Sequence, residues 1–190
     1  MRKAMLGCFI MLGALHVYAQ VISVKPGLWE MRMVKQLKDG KDMTAQINGA
    51  MAQMQDRLAN MPPEQREKME AMMKQHGAPA MGGNGSVKMC ITPDQARENK
   101  PLIDRAGCQP ATVKRSGNHS SFEFNCTTNG MTTSSKGEST MSGDVISTVE
   151  DTTTHAATGD SHVLHTETEM KFLGADCGDV KPMPAPKASP

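Results

Sequence analysis

Large aromatic side chains are scarce in this sequence. Its 190 residues include one tryptophan, one tyrosine and four phenylalanines, and the aromatic fraction is 3%. Because aromatic side chains contribute most to the surface that a core buries, a core here has to be aliphatic and modest in size. Methionine, with 18 residues, supplies part of the apolar surface that aromatic residues would otherwise provide. We expect Trp29, the single tryptophan, to anchor the core.

Net charge is also nearly absent. The chain carries 21 basic and 20 acidic residues, which gives a formal charge of +1. Without Arg2 and Lys3, which lie in the leader described below, 19 basic residues remain and the charge becomes −1. A near-neutral domain has no long-range attraction for nucleic acid or anionic lipid. Nucleic acid is therefore not an expected partner.

The sequence lacks the short motifs of covalent catalysis. It has neither Gly-x-Ser-x-Gly nor Cys-x-x-Cys, which excludes a hydrolase elbow and a thiol oxidoreductase pair. The glycine-rich run 82–85 is not followed by the Lys-Ser/Thr of a phosphate-binding loop. We expect a protein that is not an enzyme, with no catalytic residue and no cofactor.

A long apolar run occurs only near the N-terminus. Arg2 and Lys3 precede the apolar run 4–17, and Val17-Tyr18-Ala19 places small or branched residues before a cleavage point. The run is about 14 residues long, short of the roughly 20 that span a bilayer, which disfavours a retained anchor. We predict a signal peptide over residues 1–19, cleavage after Ala19, and a periplasmic or secreted protein without a membrane span.

Five cysteines are present, and one of them, Cys8, lies inside the predicted leader. The four that remain are Cys90, Cys108, Cys126 and Cys177. An even number of cysteines in an exported domain indicates two disulfides, which allow three connectivities. Cysteines that are paired in this way are not nucleophiles.

A predicted hairpin narrows the choice of disulfide pairs. A two-residue turn at Gly117-Asn118 sets Cys126 opposite Gln109, one residue from Cys108. A small bulge or register shift would bring the sulfurs of Cys108 and Cys126 within reach of each other. The predicted disulfides are Cys108–Cys126 and Cys90–Cys177.

The mature N-terminal segment alternates like a half-buried strand. After the turn at Pro26-Gly27, Trp29, Met31, Met33 and Leu37 are expected on one face. Asp39-Gly40 then ends the strand with a turn.

A methionine-rich helical hairpin is predicted over about 42–77. Its first helix carries a stripe of Ile47, Met51, Met54 and Leu58, and Pro62-Pro63 separates it from the second helix. Residues 78–85 are glycine-rich and are expected to be a flexible link.

The second half is rich in Thr, Ser and Val, with turn signals at short intervals. This pattern predicts successive antiparallel strands. The polar strand 132–140 is expected to be a solvated hairpin arm, the alternative being that it lines a wet concavity. We predict a mainly β fold: a curved antiparallel meander or partial barrel with the inserted helical hairpin, α+β by content. It forms a single domain over 20–181, followed by a disordered tail over 182–190.

Three segments resemble the bacterial exported domain-of-unknown-function family 3617. They are Lys25-Pro26-Gly27-Leu28-Trp29-Glu30, Cys90-Ile91-Thr92-Pro93 and the run from Gly174 to Pro182. The family's last motif is often preceded by Arg-Trp, where this chain has Lys171-Phe172. The resemblance implies an exported, mainly β domain with cysteines, and it implies no reaction.

Two groups of side chains are candidate metal ligands. Met69, Met72, Met73 and His76 recur at helical spacing and could hold Cu(I), although methionines more often fill an apolar face. His155 and His162 could face each other across a strand pair, with His165 on the opposite face. Since zinc sites generally use three or four ligands, exposed histidines are the preferred interpretation.

The favoured functional hypothesis is a non-enzymatic module that binds a small apolar ligand or a protein partner. The alternative is a copper-handling protein, or an enzyme with a site that the sequence does not reveal. The methionine-rich helices suit adaptable apolar contacts.

Overall fold

The computed structural model describes residues 24–75, 80–97, 108, 112–128 and 130–182. The predicted signal peptide and residues 183–190 of the predicted tail lie outside this part of the chain. The described strands are β1 (Gly27–Lys38), β2 (Lys41–Asp42), β3 (Ala80–Met81), β4 (Val87–Ile91), β5 (Thr112–Ser116), β6 (His119–Thr128), β7 (Met131–Ser142), β8 (Val145–His155) and β9 (Ser161–Gly174). The described helices are α1 (Thr44–Ala59), α2 (Pro63–Gln75) and α3 (Pro93–Arg97), with a 3-10 turn at Gly83–Gly85.

The strands form one antiparallel sheet, as predicted. Its order is β3-β4-β1-β9-β8-β7-β6-β5, and β2 pairs with β1 beside this path. The sheet does not close into a barrel, so β3 and β5 lie at its two edges. The mainly β fold expected from the sequence is confirmed, in its open form.

Tight turns connect the meander strands. Gly117 and Gly143, with φ of 58° and 60°, occupy the left-handed region at the β5–β6 and β7–β8 turns, where glycine is the least strained residue. Both turns lie at the same end of the sheet, which we call the Gly143 end. The β8–β9 turn, with Gly159 at φ of 93°, lies at the other end, which we call the Gly159 end.

A bulge in β1 corrects one sequence prediction. The register with β9 shifts between Met33 and Lys35, so that Met33 pairs with Thr168 but Leu37 pairs with His165. Because side chains alternate along a strand, one extra residue reverses the face of everything beyond it. The prediction that Leu37 shares a face with Trp29 was therefore wrong.

The polar strand β7 lies inside the sheet, between β6 and β8. The prediction of a solvated hairpin arm was wrong for its inward side, because Ser135 is only 1% exposed. Its hydroxyl lies 2.6 Å from the Thr152 hydroxyl on β8, and Thr133 and Thr154 form a similar contact at 3.4 Å. Hydroxyl pairs between strands satisfy polar groups where the sequence offered no apolar ones.

The core is concentrated at the Gly143 end. Trp29 is fully buried and packs edge-on against Phe172, with ring centroids 5.3 Å apart. Its indole N–H donates a 2.9 Å hydrogen bond to the Lys25 carbonyl. The buried cluster consists of Trp29, Met89, Ile91, Ala96, Met141, Ile146 and Met170. Trp29 thus has the anchoring position expected of it.

Among the residues that the structure describes, α1 and α2 contribute no side chain to this core. α1 contains no buried residue, and Met54 of its predicted stripe is 42% exposed. Polar contacts attach α1 instead: the Gln55 amide binds the Gly82 carbonyl and accepts from the Gly85 N–H at 3.1 Å. The predicted link 78–85 therefore contains two hydrogen-bonded elements, β3 and the 3-10 turn. Over the described residues, every helix is too short or too polar to cross a bilayer.

Candidate functional site

On one face of the sheet, the side chains of residues that pair on neighbouring strands form rows that run across the strands. We call this the inner face, and it is the face that carries Trp29. Its first row crosses four strands through residues that are directly opposite one another, and all four are apolar. The row is Met31, Met170, Ile146 and Met141. Three flexible thioether side chains give this part of the face an adaptable surface.

The second row is mostly hydroxyl-bearing and ends in a cation. Ser139 and Thr148 lie opposite each other with their hydroxyl oxygens 2.8 Å apart. At the β5 edge the row ends with Arg115, opposite Ser120. From β1 to β5 the row is Met33, Thr168, Thr148, Ser139, Ser120 and Arg115.

The third row contains a carboxylate and a phenyl ring. Glu150 lies opposite Gly137, which in turn lies opposite Phe122. A Cβ atom placed on Gly137 would lie 2.2 Å from Phe122 Cζ, so the ring rests directly on the glycine backbone. Glycine is required at position 137 because the Phe122 ring can approach the β7 backbone this closely only where there is no side chain.

These rows line a cavity of about 360 Å³. Its walls include Met31 and Met33 of β1 as well as Val113 and Arg115 of β5. Five strand spacings separate β1 from β5, about 24 Å along the sheet at roughly 4.8 Å per spacing. One cavity reaches from β1 across the inner face to β5. The inner face is therefore concave.

Arg115 is the unusual polar group of this cavity. Its Nε atom is buried and has no hydrogen-bond partner among the described residues. Glu150, the other charged group in the cavity wall, accepts a 3.2 Å hydrogen bond from the Thr152 hydroxyl. No described contact joins the two charges, so the guanidinium is left without a counter-ion from the described part of the chain.

The opposite, outer face is charged and internally paired. Cross-strand ion pairs join Arg32 to Glu169 at 2.8 Å and Lys136 to Glu123 at 3.5 Å. His165 lies between two carboxylates, 2.7 Å from Asp151 and 3.3 Å from Glu167, and both raise its pKa above the ordinary 6.5. The outer face therefore has the character of a solvated surface.

The histidine arrangement differs from the sequence expectation. His155 pairs with Ser161 while His162 pairs with Thr154, so the two imidazoles lie on opposite faces. His162 Nδ1 instead lies 2.8 Å from Asp39 Oδ2. The Val163 N–H and then His162 lower the pKa of Asp39. The strand pair is one residue out of the register that would join the histidines.

The predicted Cu(I) ligands lie on α2 or beyond it. Met69 is half-buried and Met72 is 51% exposed, whereas the Met73 side chain and His76 lie outside the described residues. Within the described residues no group of three or more His, Cys, Asp or Glu side chains is placed to hold a metal ion. The copper hypothesis stays a prediction.

The structure brings the four cysteines together in two pairs. The sulfur atoms of Cys90 and Cys177 are 2.04 Å apart, and those of Cys108 and Cys126 are 1.92 Å apart. Both pairs are at disulfide distance. The first joins β4 to the segment after β9, and the second lies next to the start of the β5–β6 hairpin at the Gly159 end.

Sequence reasoning missed Arg115 and Glu150, although a signal was available for the first. The turn at Gly117-Asn118 sets Arg115 opposite Ser120, on the same face as Phe122. A cation on the strand face that carries phenylalanines is unusual, because that face normally packs against the core. Glu150 carried no comparable signal, since its strand is polar on both faces.

Comparison with known proteins identifies the family that the sequence motifs resemble. The model of the family "Protein of unknown function (DUF3617)" matches residues 24–177. A Pseudomonas putida protein described as "Uncharacterized protein in lpd-3 5'region" is 40% identical over 112 residues, 58% of this chain and 72% of that protein. No solved structure matches the chain. Since the family model spans the whole described sheet from β1 to β9, the chain belongs to the DUF3617 family.

Proposed function

We propose that this protein is an exported, non-enzymatic binding module whose concave inner face holds a small apolar ligand. The observation that carries the proposal is the 360 Å³ cavity, whose walls combine the methionine row with Phe122, Phe124 and Val113. Sites for small molecules are concave, mainly apolar and supplied with a few polar groups. The hydroxyls of the second row and the charged side chains of Arg115 and Glu150 supply those polar groups.

The energetic basis is burial of apolar ligand surface. Each methylene transferred from water contributes about 0.8 kcal/mol. The methionine side chains of the first row adapt to ligands of different shape, since their thioether torsions are soft. The same surface can accept related ligands without rebuilding the sheet.

The proposed export rests on two features. The leader over 1–19 has the pattern of a signal peptide, and four cysteines lie in two pairs at disulfide distance. Expression in a bacterium followed by mass spectrometry of the periplasmic fraction tests the proposal. We expect a mature chain that begins at Gln20; an unprocessed chain in the cytoplasm would contradict export.

Filling the cavity tests ligand binding. Thr148 projects from β8 into the cavity, whereas its neighbour Ser147 is exposed on the outer face. We expect Thr148→Phe to weaken binding of the fluorescent probe N-phenyl-1-naphthylamine by tenfold or more, because the new ring occupies the space the probe needs. Ser147→Phe adds the same ring to the other face and is the matched control.

Two results would overturn the proposal. One is absence of probe binding by the wild-type protein. The other is equal binding by the wild type and by a folded Thr148→Phe variant, which would place the probe elsewhere. Circular dichroism of both variants checks folding, and phenylalanine is a good strand residue at either position.

A further inference from the structure

We propose that the ligand is a single-chain amphiphile with an anionic head group, and that Arg115 binds that head group. This inference rests on the proposed function and specifies its ligand class. It follows from where the cavity places its cation, from the missing partner of that cation, and from the direction of the apolar row.

Arg115 lies at one margin of the cavity. It is half-buried on the edge strand β5, and the residue opposite it, Ser120, offers a hydroxyl but no negative charge. Arginine presents planar N–H donors that match carboxylate and phosphate oxygens. A head group at this margin can therefore bind the guanidinium while its chain enters the cavity.

The unpartnered Nε strengthens the case for an anion. A buried N–H that has lost water without gaining an acceptor destabilises the ligand-free protein. An anionic oxygen at this position would restore the missing hydrogen bond and neutralise the charge. The free-energy cost of the unsatisfied Nε–H in the ligand-free protein is removed when the anion binds, and this removal favours binding.

Apolar residues flank the row of Arg115 on both sides. Phe122 and Val113 lie one row away on the same two strands, and the row from Met141 to Met31 crosses the curved face to β1. An alkyl chain with its head at Arg115 would lie across the strands against this row. The charge at one margin and the thioethers beyond it match an amphiphile in which one end is charged and the other is apolar.

Glu150 is the competing recognition group, because a carboxylate in an apolar cavity could select a cationic amphiphile. It differs from Arg115 in having a hydrogen bond already, from Thr152 at 3.2 Å. The Glu150 carboxylate already accepts a hydrogen bond within the protein, whereas the Arg115 Nε–H has no acceptor among the described residues. A ligand acceptor for Arg115 therefore contributes more than a ligand donor for Glu150. The observations therefore favour the anion, and the experiment includes the amine.

The test compares head groups on one chain. Decanoate, decyl phosphate, decanol and decylamine are titrated into the mature protein by displacement of N-phenyl-1-naphthylamine. We expect the two anions to bind at least tenfold more tightly than decanol, and decylamine to bind most weakly, since a charge-assisted hydrogen bond is worth on the order of tenfold in affinity. Octanoate is expected to bind roughly fifteenfold more weakly than decanoate, because it buries two methylenes fewer.

Variants assign the head-group preference to Arg115. In Arg115→Gln the anions lose their advantage while decanol binding is unchanged. Lys114→Gln removes the preceding cation on β5, which is exposed on the outer face, and leaves all affinities as in the wild type. Glu150→Gln leaves the preference for anions in place.

The outcomes separate this inference from the proposed function. If no decyl compound displaces the probe, the apolar site itself is refuted. If acid, alcohol and amine bind equally, the site stands and the anion inference fails. A preference for decylamine that Glu150→Gln abolishes would assign recognition to Glu150 instead. A preference for decanoate over decyl phosphate, or the reverse, identifies which anionic head group the site takes.

Discussion

Gly137→Ala tests the geometry of the cavity most directly. The added methyl carbon would lie 2.2 Å from Phe122 Cζ and 2.7 Å from both Cε atoms, far inside contact distance. Phe122 also stacks on Phe124, with ring centroids 6.3 Å apart, so the ring cannot move without disturbing its neighbour. Overpacking of this kind costs about 1–3 kcal/mol, and we expect Gly137→Ala to lower the free energy of unfolding by that amount.

A double-mutant cycle with Phe122→Ala isolates the cause. Without the ring, the methyl group meets no obstacle, and replacing glycine by alanine in a strand stabilises by about 0.5–1 kcal/mol. Gly137→Ala is therefore expected to change sign, destabilising the wild type but stabilising the Phe122→Ala protein. The coupling between the two sites would be about 1.5–4 kcal/mol, which begins inside the range of about 0.5–3 kcal/mol for residues in contact and extends beyond it.

Urea unfolding with the disulfides intact provides the measurement. Trp29 is the single tryptophan and is fully buried, so its fluorescence reports loss of the core. Gly174→Ala on β9 is the control, because a Cβ there meets nothing within 4 Å. Equal destabilisation by Gly137→Ala in both backgrounds would refute the contact between ring and glycine.

Two further predictions concern cross-links and pH. Replacing Cys90 and Cys177 by serine opens a loop of 87 residues, and replacing Cys108 and Cys126 opens one of 18; chain entropy gives losses of about 4.6 and about 3.2 kcal/mol. Because the pKa of His165 is raised from 6.5, its contribution to stability is complete below that pH and is lost as the pH rises through the folded pKa. The stability advantage of the wild type over His165→Gln, measured by urea unfolding, is thus expected to shrink above pH 6.5.

Each of these two predictions has an outcome that contradicts it. For the cysteines, non-reducing peptide mapping that joins Cys90 to Cys108 would remove the basis of the comparison. For His165, an advantage that grows with pH would mean that the neutral imidazole is the favoured form. An NMR titration of the ring gives its pKa independently of stability.

Much of the fold follows from local sequence signals. The alternation of Trp29, Met31 and Met33 predicts a strand with one apolar face, and the turn at Gly117-Asn118 fixes the β5–β6 register. Both signals depend on neighbours within a few residues, where period and turn chemistry are reliable. The two helices α1 and α2 were likewise predicted, from their helix-forming residues and from Pro62-Pro63, although the apolar stripe of α1 is not buried.

What the sequence did not reveal depends on contacts between distant strands. The bulge after Met33 has no local marker, and it alone moved Leu37 to the outer face. The interior position of β7 was missed because its hydroxyls are satisfied by partners on β8, such as Thr152 beside Ser135. A curved sheet with a concave face was predicted, but the residues that line the cavity were not, because strands far apart in sequence contribute them.

The placement of the core at the Gly143 end has a mechanical consequence. At that end, Met141 of β7 and Ile146 of β8 pack in the core. Near the Gly159 end, the same two strands are joined by hydroxyl pairs such as Thr133 with Thr154. Backbone amides of one strand would then exchange with solvent at graded rates, slowest beside the core and fastest at the far turn. The sheet would be rigid at the Gly143 end and flexible at the Gly159 end. The inner face could then widen at the Gly159 end without unfolding of the domain.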